Sequence, residues 1–414
     1  MSNAGSFELI FKMAWLNVWR RSRRSMLVIM MIAVSMSTML SIQGLYDGMA
    51  YHMIKSVIES DCGEISIYDK AYRLDPSLKH HITETSKVLE EVNAMPEVKT
   101  VAERIIITGL GATARKSTMA RLIGTDLEQE RRFGEFERAI IEGEAAWGKK
   151  ERYCIIGKKL AETLRLSPGQ RIIFSSQNLE GDITSISLRI GAVIQTTNMA
   201  IDDTGIYISL ARSEAFAGLG HDERTQIALR LESGADIATV QQQLQQRFPD
   251  LEVSSWIELY PTLDMMQTMM FYFNGISFAI VMLVVFIGIM GVMMVSILER
   301  IREFGILMAI GSSYKQLRTQ VIIEALMLGL LGYAIGTLLG LAALYYLQNY
   351  GIDLSDFAAG MEAFGIASTV YGVIKFSYFT TTLAAIILAS FLSVILPLRS
   401  LKKLKPIEVI QGEY

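Results

Sequence analysis

The chain has 414 residues, a formal net charge of −3, a hydrophobic content of 51% and a mean hydropathy of +0.33. A soluble protein usually contains about 45–50% apolar residues, scattered with the period of its secondary structure. Here the apolar residues are concentrated in four long runs. This pattern excludes an ordinary soluble globular protein.

Each apolar run is long enough to cross a hydrocarbon core of ~30 Å at ~1.5 Å per helical residue. The runs cover residues 26–46, 271–298, 319–347 and 376–397, and Glu324 is the only formally charged residue in them. Lipid offers no hydrogen-bond partner to the backbone, so each segment must satisfy its own N–H and C=O groups as a helix. The sequence therefore predicts a polytopic α-helical membrane protein with four transmembrane helices.

Residues 1–25 form a basic and aromatic lead-in to the first run. The run exceeds the apolar region of a signal peptide and no A-x-A site follows it, so we expect a retained anchor. Apolar residues recur at helical spacing in the lead-in: Leu9, Met13, Trp15, Leu16 and Trp19. This spacing indicates an amphipathic helix in the membrane interface.

The distribution of Lys and Arg predicts the orientation. Residues 1–25 carry five, the link 299–318 carries four and the tail 398–414 carries four, whereas the short loop 348–375 carries one. By the positive-inside rule, both termini and the link are cytoplasmic. We expect a multi-pass protein of the bacterial inner membrane. The segment 47–270 is then periplasmic. Its net charge of −8 argues against nucleic acid as a partner.

The segment 47–270 has the pattern of a folded α+β domain between the first two spans, in one or two lobes. Its β-rich runs are residues 64–68, 104–110, 118–123, 171–174, 183–194, 205–210, 226–231 and 251–255. Its amphipathic helix candidates are residues 82–95, 157–165, 210–217 and 237–248. Strand and helix candidates alternate, with turn signals at Pro96 and at Ser167-Pro168-Gly169.

Motifs for catalysis or for a cofactor are absent from this domain. Residues 143–150 match G-x-x-x-x-G-K but end in Lys150, where a nucleotide site needs Ser or Thr, so we interpret them as a surface turn after a strand at 139–141. The four histidines have no metal-binding spacing. Cys62 and Cys154 both lie in the oxidising compartment, where a disulfide is allowed, and two buried free thiols are the default. We therefore predict no enzyme activity, no metal and no cofactor in this chain.

The link 299–318 contains the most specific local pattern of residues in the chain. Phe304, Leu307 and Met308 fall at i, i+3 and i+4 and share one face of a short helix. Gly311 is placed to end that helix, and the segment Ser313 to Gln316 fits a capping box for the next span. The pattern predicts a rigid helix between two spans, which either re-enters the interface or presents an apolar face to the cytoplasm.

The same link resembles that of a known protein family. The segment 299–311, ERIREFGILMAIG, followed by Gln316, Glu324 and Gly332, is similar to the signature of FtsX/MacB-type ABC-transporter permeases. Further segments resemble the entry, the periplasmic core and the closing motif of that family; they are residues 15–20, 140–143, 156–169 and 404–410, with Pro397 before the last. The family includes lipoprotein-releasing permeases of the LolC/LolE type and macrolide exporters.

The resemblance implies a mechanism of mechanotransmission. The short cytoplasmic helix docks on an ABC ATPase, and nucleotide-driven movement passes to the spans and to the periplasmic domain. The implied coupling residues are Glu299, Arg302, Glu303, Phe304, Gly305, Leu307 and Gly311. Phe304 and Leu307 would be apolar anchors, and Arg302 and Glu303 rim charges. ATP and magnesium would be bound by the ATPase, a separate subunit present in two copies beside two permease subunits, as a homodimer or a heterodimer.

Two features lie within the third span. Gly332, Gly336 and Gly340 repeat every four residues, a pattern that lets helices approach closely, either within the chain or at a dimer seam. Glu324 lies near the cytoplasmic face, where a carboxylate is costly unless paired, and Arg300 or Arg302 would be its partner.

The cargo is less specified, and three hypotheses stay open. The first is extraction of a lipoprotein or lipid from the inner membrane and its transfer to a periplasmic carrier. The second is export of macrolide- or peptide-type compounds with a periplasmic adaptor. The third is an FtsX-like signalling protein that transports nothing; the large outer domain weighs against it.

The topology can be tested by labelling. A Gly220→Cys variant should react with a membrane-impermeant maleimide added to intact spheroplasts, whereas a Ser312→Cys variant should react only after lysis. The reverse labelling pattern would contradict the orientation.

Overall fold

The computed structural model describes residues 3–20, 22–134, 136–144, 152–196, 198–354 and 369–402. Within these ranges the chain divides into two compact units. The first, the membrane unit, contains the segments up to residue 50, from 267 to 354 and from 369 onward. The second, the outer unit, contains residues 51–266.

The helices are, in chain order, α1 Asn3–Arg20, α2 Ser22–Val57, α3 Thr85–Asn93, α4 Leu127–Phe133, α5 Lys158–Leu164, α6 Met199–Thr204, α7 Leu210–Ala217, α8 Ile237–Arg247, α9 Trp256–Leu259, α10 Pro261–Glu299, α11 Ile301–Ala309, α12 Tyr314–Tyr350, α13 Phe376–Ser393 and α14 Ile395–Lys402. A single π-helical turn, Ile58–Cys62, continues α2. The strands are β1 Ile65–Asp69, β2 Val98–Ala112, β3 Ser117–Thr125, β4 Ile140–Gly143, β5 Tyr153–Gly157, β6 Arg171–Gln177, β7 Ile183–Ile194, β8 Gly205–Ser209, β9 Gln226–Leu231, β10 Leu251–Ser255, β11 Ile352–Asp353 and β12 Thr369–Val370.

Four helical segments have the length and composition to cross a membrane, as the sequence predicts: Ser22–Cys62, Pro261–Glu299, Tyr314–Tyr350 and Phe376–Arg399. The first three are longer than their apolar runs, because a helix continues past the point where its side chains become polar. The predicted lead-in helix is α1, whose Ala14 and Val18 are buried in the core of the membrane unit. This core also contains Ile32 from α2 and Val285 from α10.

The glycine repeat of α12 packs against α2 within the same chain. A Cβ atom at Gly336 would lie 2.7 Å from both the carbonyl oxygen of Ala33 and the Cβ of Met36. Gly332 and Gly340 are equally close to neighbouring turns of α2. The absence of side chains therefore allows the two backbones to approach closely. Of the two interpretations left open by the sequence, the structure supports packing within the chain.

The outer unit is built on one ten-stranded sheet in the order β10-β1-β9-β2-β3-β8-β5-β7-β4, with β6 paired to both β2 and β7. The pairs β3–β8 and β5–β7 are parallel and the other pairs are antiparallel. The sheet is therefore mixed, which the alternation of strands and helices permits. Its two largest apolar cores pack against this sheet: one includes Ile105, Ile156 and Phe174, the other Ile67, Val92 and Leu244.

The eight predicted β-rich runs and the strand predicted at 139–141 correspond to strands of this sheet. The sequence missed β5, which lies between β7 and β8, because its five residues run directly into α5 and carry no turn signal. It also missed the short helices α4 and α6. The predicted turn at 143–150 falls largely outside the described residues, as does the closing motif at 404–410.

Cys62 and Cys154 are free thiols buried in two different apolar clusters. The default prediction of two buried free thiols is confirmed. Burial raises the pKa of the Cys154 thiol, so this side chain remains protonated and inert at neutral pH.

Replacing Gly336 by Ala should destabilise the membrane unit by about 1–3 kcal/mol, because the added methyl group overpacks the contact with α2. Thermal unfolding of the protein in detergent measures this effect. Gly291→Ala is the matched control, since no atom lies within 4 Å of a Cβ at this position in α10. Equal melting temperatures for the two variants would contradict the packing role.

Candidate coupling site

The predicted short helix is α11, which lies between α10 and α12. Gly311 follows it with a φ of +107°, a left-handed conformation that glycine adopts without strain. The Ser312 N–H donates to the carbonyl of Leu307 at 2.9 Å, which satisfies an end carbonyl of the helix. Ser313 and Gln316 then form the predicted capping box of α12. The end of α11 and the start of α12 are therefore fixed by local hydrogen bonds.

The more apolar face of α11 packs inward, and this corrects the prediction for its anchors. Phe304 is 1% exposed and belongs to the core of the membrane unit, with Leu307 and Met308 half-buried beside it. Gly305 is also buried. Since a bulky apolar face gains most by leaving water, it packs on the chain's own core before any partner can use it. Phe304 is therefore a core residue of the membrane unit and not an exposed side chain.

The opposite face of α11 is exposed and partly apolar. Arg302, Ile306 and Ile310 follow at i, i+4 and i+8, and the two isoleucines are 45% and 79% exposed. Glu303 and Gly311 are also exposed. We call Arg302, Ile306 and Ile310 the outer face of α11. This spacing is already present in the sequence, but Phe304 and Leu307 form the more apolar face, and apolarity alone does not show which face is exposed.

A buried ion pair joins the start of α11 to α12. Arg300 Nη1 lies 3.2 Å from Glu324 Oε2, and the two side chains are only 10% and 7% exposed. Arg300 Nε also lies 3.2 Å from Glu303, and its guanidinium lies 5.1 Å from the centre of the Phe304 ring. The predicted pairing of Glu324 is confirmed, with Arg300 as the partner. The pair places a charged anchor at the first turn of α11.

Two further ion pairs tie the junction of α1 and α2 to the same region. Arg24 Nη1 lies 2.6 Å from Glu299, and Arg20 Nη1 lies 3.4 Å from Glu303. A cavity of about 30 Å³ lies between these pairs and the Arg300–Glu324 pair, and Asn17 Nδ2 is buried there without a partner. This volume and this orphaned donor fit one water molecule.

In the outer unit, the end of α2 is held by polar contacts. The Asp61 carboxylate accepts a short hydrogen bond from Tyr260 and lies 3.7 Å from Arg121. The neighbouring Ser60 is bonded by Asn198 and Tyr207 through its hydroxyl and its carbonyl. These contacts fix the π-helical turn to the sheet and to the segment that leads into α10.

A second buried ion pair stabilises this attachment. Arg104 makes a bidentate contact with Glu130, at 2.6 Å and 2.8 Å, and both side chains are at most 2% exposed. Arg104 also donates to the carbonyl of Asp61. Burial alone would lower the pKa of Arg104, but the Glu130 carboxylate raises it above its usual value. The guanidinium is therefore permanently charged and bridges β2, α4 and the end of α2.

The described ranges contain no cluster of His, Cys, Asp or Glu side chains that could hold a metal ion. In this arrangement, α11 packs against its neighbouring helices on one face and exposes the other face. Such a site is suited to mechanical contact with another protein.

These features define a class of membrane protein with four spans, a large α/β domain between the first two, and a short helix between the second and third. Residues 25–247 match the family described as "MacB-like periplasmic core domain", and residues 275–406 match "FtsX-like permease C-terminal". The chain belongs to this family of ABC-type permeases.

Individual relatives agree with the family. A "Probable export ATP-binding/permease protein MacB" of Pseudomonas entomophila is 22% identical over 421 residues, covering 99% of this chain and 60% of that protein. An "Uncharacterized ABC transporter permease" of Methanocaldococcus jannaschii is 23% identical over the full length of both chains. A "Macrolide export ATP-binding/permease protein MacB" of Hahella chejuensis is 34% identical over 140 residues, or 33% of this chain and 19% of that protein.

Two solved structures of domains outside the membrane have some likeness to this chain. The periplasmic region of MacB from Actinobacillus actinomycetemcomitans is 11% identical with a TM-score of 0.34, covering 48% of this chain and 92% of that one. The extracellular domain of the transporter YknZ is 15% identical with a TM-score of 0.31, covering 46% and 98%.

The buried ion pair can be tested by a double-mutant cycle. Arg300→Met should destabilise the membrane unit by about 3–5 kcal/mol, because it removes the guanidinium that faces the buried Glu324 carboxylate. Arg300→Met combined with Glu324→Leu should recover most of that loss. Thermal unfolding in detergent measures the cycle, and additive effects of the two single variants would argue against the pair.

Proposed function

We propose that this chain is the permease subunit of an ABC transporter and couples ATP hydrolysis in a separate ATPase to movement of its outer unit. The observation that carries the proposal is the geometry of α11. Its inner face is packed in the chain's own core and fixed by Arg300–Glu324, whereas its outer face is left exposed. A rigid helix held on one side and open on the other can receive a force and pass it to α10 and α12.

The outer face of α11 is the proposed ATPase contact. Ile306 and Ile310 are the apolar anchors, and Arg302 and Glu303 are the charged rim. Apolar anchors surrounded by polar residues are the usual arrangement of a binding hot spot. The positive-inside rule supports a cytoplasmic location for this face, since residues 1–25 and 299–318 carry nine Lys and Arg.

The sequence has no G-x-x-x-x-G-K-[ST] motif, so we propose that ATP and magnesium are bound by the partner ATPase. Two permease subunits would stand beside two ATPase subunits. The low burial of the second span supports a partner within the membrane. Only 17% of its most apolar stretch is buried within the chain, whereas 39–44% of the corresponding stretch is buried in the other three spans. Most of its apolar surface is left for lipid or for a second permease subunit.

Movement would reach the outer unit along α2 and α10. Both helices continue from the membrane unit into the outer unit, where Asp61, Tyr260 and Arg104 join their ends. Buried, charged and hydrogen-bonded contacts resist local opening better than exposed ones do. A displacement of the helices would therefore be passed to the sheet and not lost at the joint.

For the cargo, we propose an amphiphilic molecule taken from the inner membrane, such as a lipoprotein or lipid, and handed to a periplasmic carrier. The names of similar proteins favour a second candidate, export with a periplasmic adaptor: several are described as macrolide exporters and one as a probable syringafactin exporter. The segment 256–259 before the second span resembles the lipoprotein-releasing branch, whereas the segment 299–311 and Glu324 resemble the branch that exports macrolides and peptides. Nothing in the site favours the signalling hypothesis.

The coupling assignment predicts the behaviour of an exchange on the outer face of α11. Ile310→Asp should reduce permease-dependent ATP hydrolysis of the complex purified from its native host by about tenfold or more, because losing one hot-spot side chain costs about 2 kcal/mol or more of binding. The ATPase rate of the reconstituted complex measures the effect. Ile183→Asp is the matched control, since Ile183 is also 79% exposed but lies in the outer unit.

A normal coupled rate in Ile310→Asp would contradict the assignment. Phe304→Asp is unsuitable for this test, because a carboxylate at a buried position disturbs folding as well as docking. Circular dichroism of both exposed-site variants should match that of the unmodified chain.

A further inference from the structure

An open cavity lies at the junction of α1 and α2. Its volume is about 420 Å³, and it is lined by Arg20, Ser22, Arg23, Arg24 and Glu299. The cavity lies just before the first apolar residues of α2, which begin at Met26. A space of this volume is large enough for the headgroup of one lipid.

The arginines of this cavity form only exposed ion pairs with carboxylates of the protein. The side chains of Arg20 and Arg24 are 71% and 47% exposed, although each contacts a carboxylate. Exposed ion pairs contribute little free energy, so these guanidinium groups can share a second anion. Arg23 lines the same cavity and is exposed. A guanidinium binds phosphate through two parallel hydrogen bonds, which makes arginine the preferred residue for such a ligand.

An aromatic stripe on α1 leads to this cavity. Phe11, Trp15 and Trp19 follow at i, i+4 and i+8 and are 50%, 42% and 50% exposed. Ala14 and Val18, on another face of the helix, are fully buried in the membrane unit. Exposed tryptophans beside a packed face are typical of a helix at the level of the lipid headgroups. The stripe is an observation independent of the arginines, and both indicate the same environment.

We propose that the junction of α1 and α2 binds the phosphate headgroup of an anionic phospholipid. Arg20, Arg23 and Arg24 outnumber the single Glu299 of the cavity, so the site favours a headgroup without a cation of its own. Met26 and Leu27 are 59% and 72% exposed directly after the arginines and offer a surface to the acyl chains. This apolar surface favours a lipid over an acidic protein. The proposal requires the chain to lie in a membrane but requires neither the ATPase nor a particular cargo.

The bound headgroup would also act on α11. Arg20 and Arg24 contact Glu303 and Glu299, which lie on either side of Arg300. A phosphate that draws these two arginines away weakens the contacts between the junction and α11. Anionic lipid would therefore change how firmly α11 is held.

Tryptophan quenching can test the binding site. The full-length chain is reconstituted in phosphatidylcholine vesicles that contain a minor fraction of brominated phosphatidylglycerol or, separately, of brominated phosphatidylcholine. Subtracting the signal of a Trp15→Phe/Trp19→Phe variant isolates the two α1 tryptophans from Trp147 and Trp256. Brominated phosphatidylglycerol should quench them more strongly than brominated phosphatidylcholine. The preference should fall about fivefold for each arginine removed, in Arg23→Gln and in Arg20→Gln/Arg24→Gln.

Arg318→Gln is the matched control, because it removes an exposed arginine from the first turns of α12, outside the cavity. It should keep the preference for phosphatidylglycerol. Equal quenching by the two lipids in the unmodified chain, or an equal loss in Arg318→Gln, would overturn the proposal. So would loss of the preference on adding inorganic phosphate at an ionic strength where chloride has no effect, since the site would then bind free anions.

Discussion

The contact between Arg300 and Glu324 is the constraint on which the membrane unit depends. A carboxylate within an apolar span is costly unless a cation accompanies it, and here Arg300 lies 3.2 Å away at the start of α11. The same guanidinium contacts Glu303 and the Phe304 ring, so one residue joins the first turn of α11 to α12. Phe304 packs in the core, and Ile306 and Ile310 on the opposite face stay exposed.

The outer unit also contains a buried ion pair. Arg104 and Glu130 form a bidentate pair that is almost without solvent contact, and Arg104 also bonds the carbonyl of Asp61 at the end of α2. Breaking a buried pair leaves an uncompensated charge, so such contacts open less readily than exposed ones. Close packing complements the charges in the membrane unit, where Gly336 brings α12 against α2. Buried contacts thus hold each unit internally, as the proposed transmission of movement requires.

The sequence by itself determined the class of the protein and most of its elements. Four apolar runs, their charge bias and one signature at 299–311 indicated a four-span permease, and eight β-rich runs became strands of the sheet. These signals are local: hydropathy over about 20 residues and alternation over a few residues can be read without knowing the fold. The end of α11 at Gly311 and the capping box at Ser313 were predictable for the same reason.

Only the tertiary structure decided which surfaces face outward and which side chains meet. Periodicity shows that α11 has two faces but not which of them packs on the core, so it predicts Phe304 as an anchor although the structure buries it. The repeat of Gly332, Gly336 and Gly340 likewise fits packing within a chain or between chains until α2 is placed beside it. Glu324 could have paired with Arg300 or Arg302, and a separation of 24 residues along the chain cannot distinguish them. Such choices depend on neighbours distant in sequence, which only the folded chain brings together.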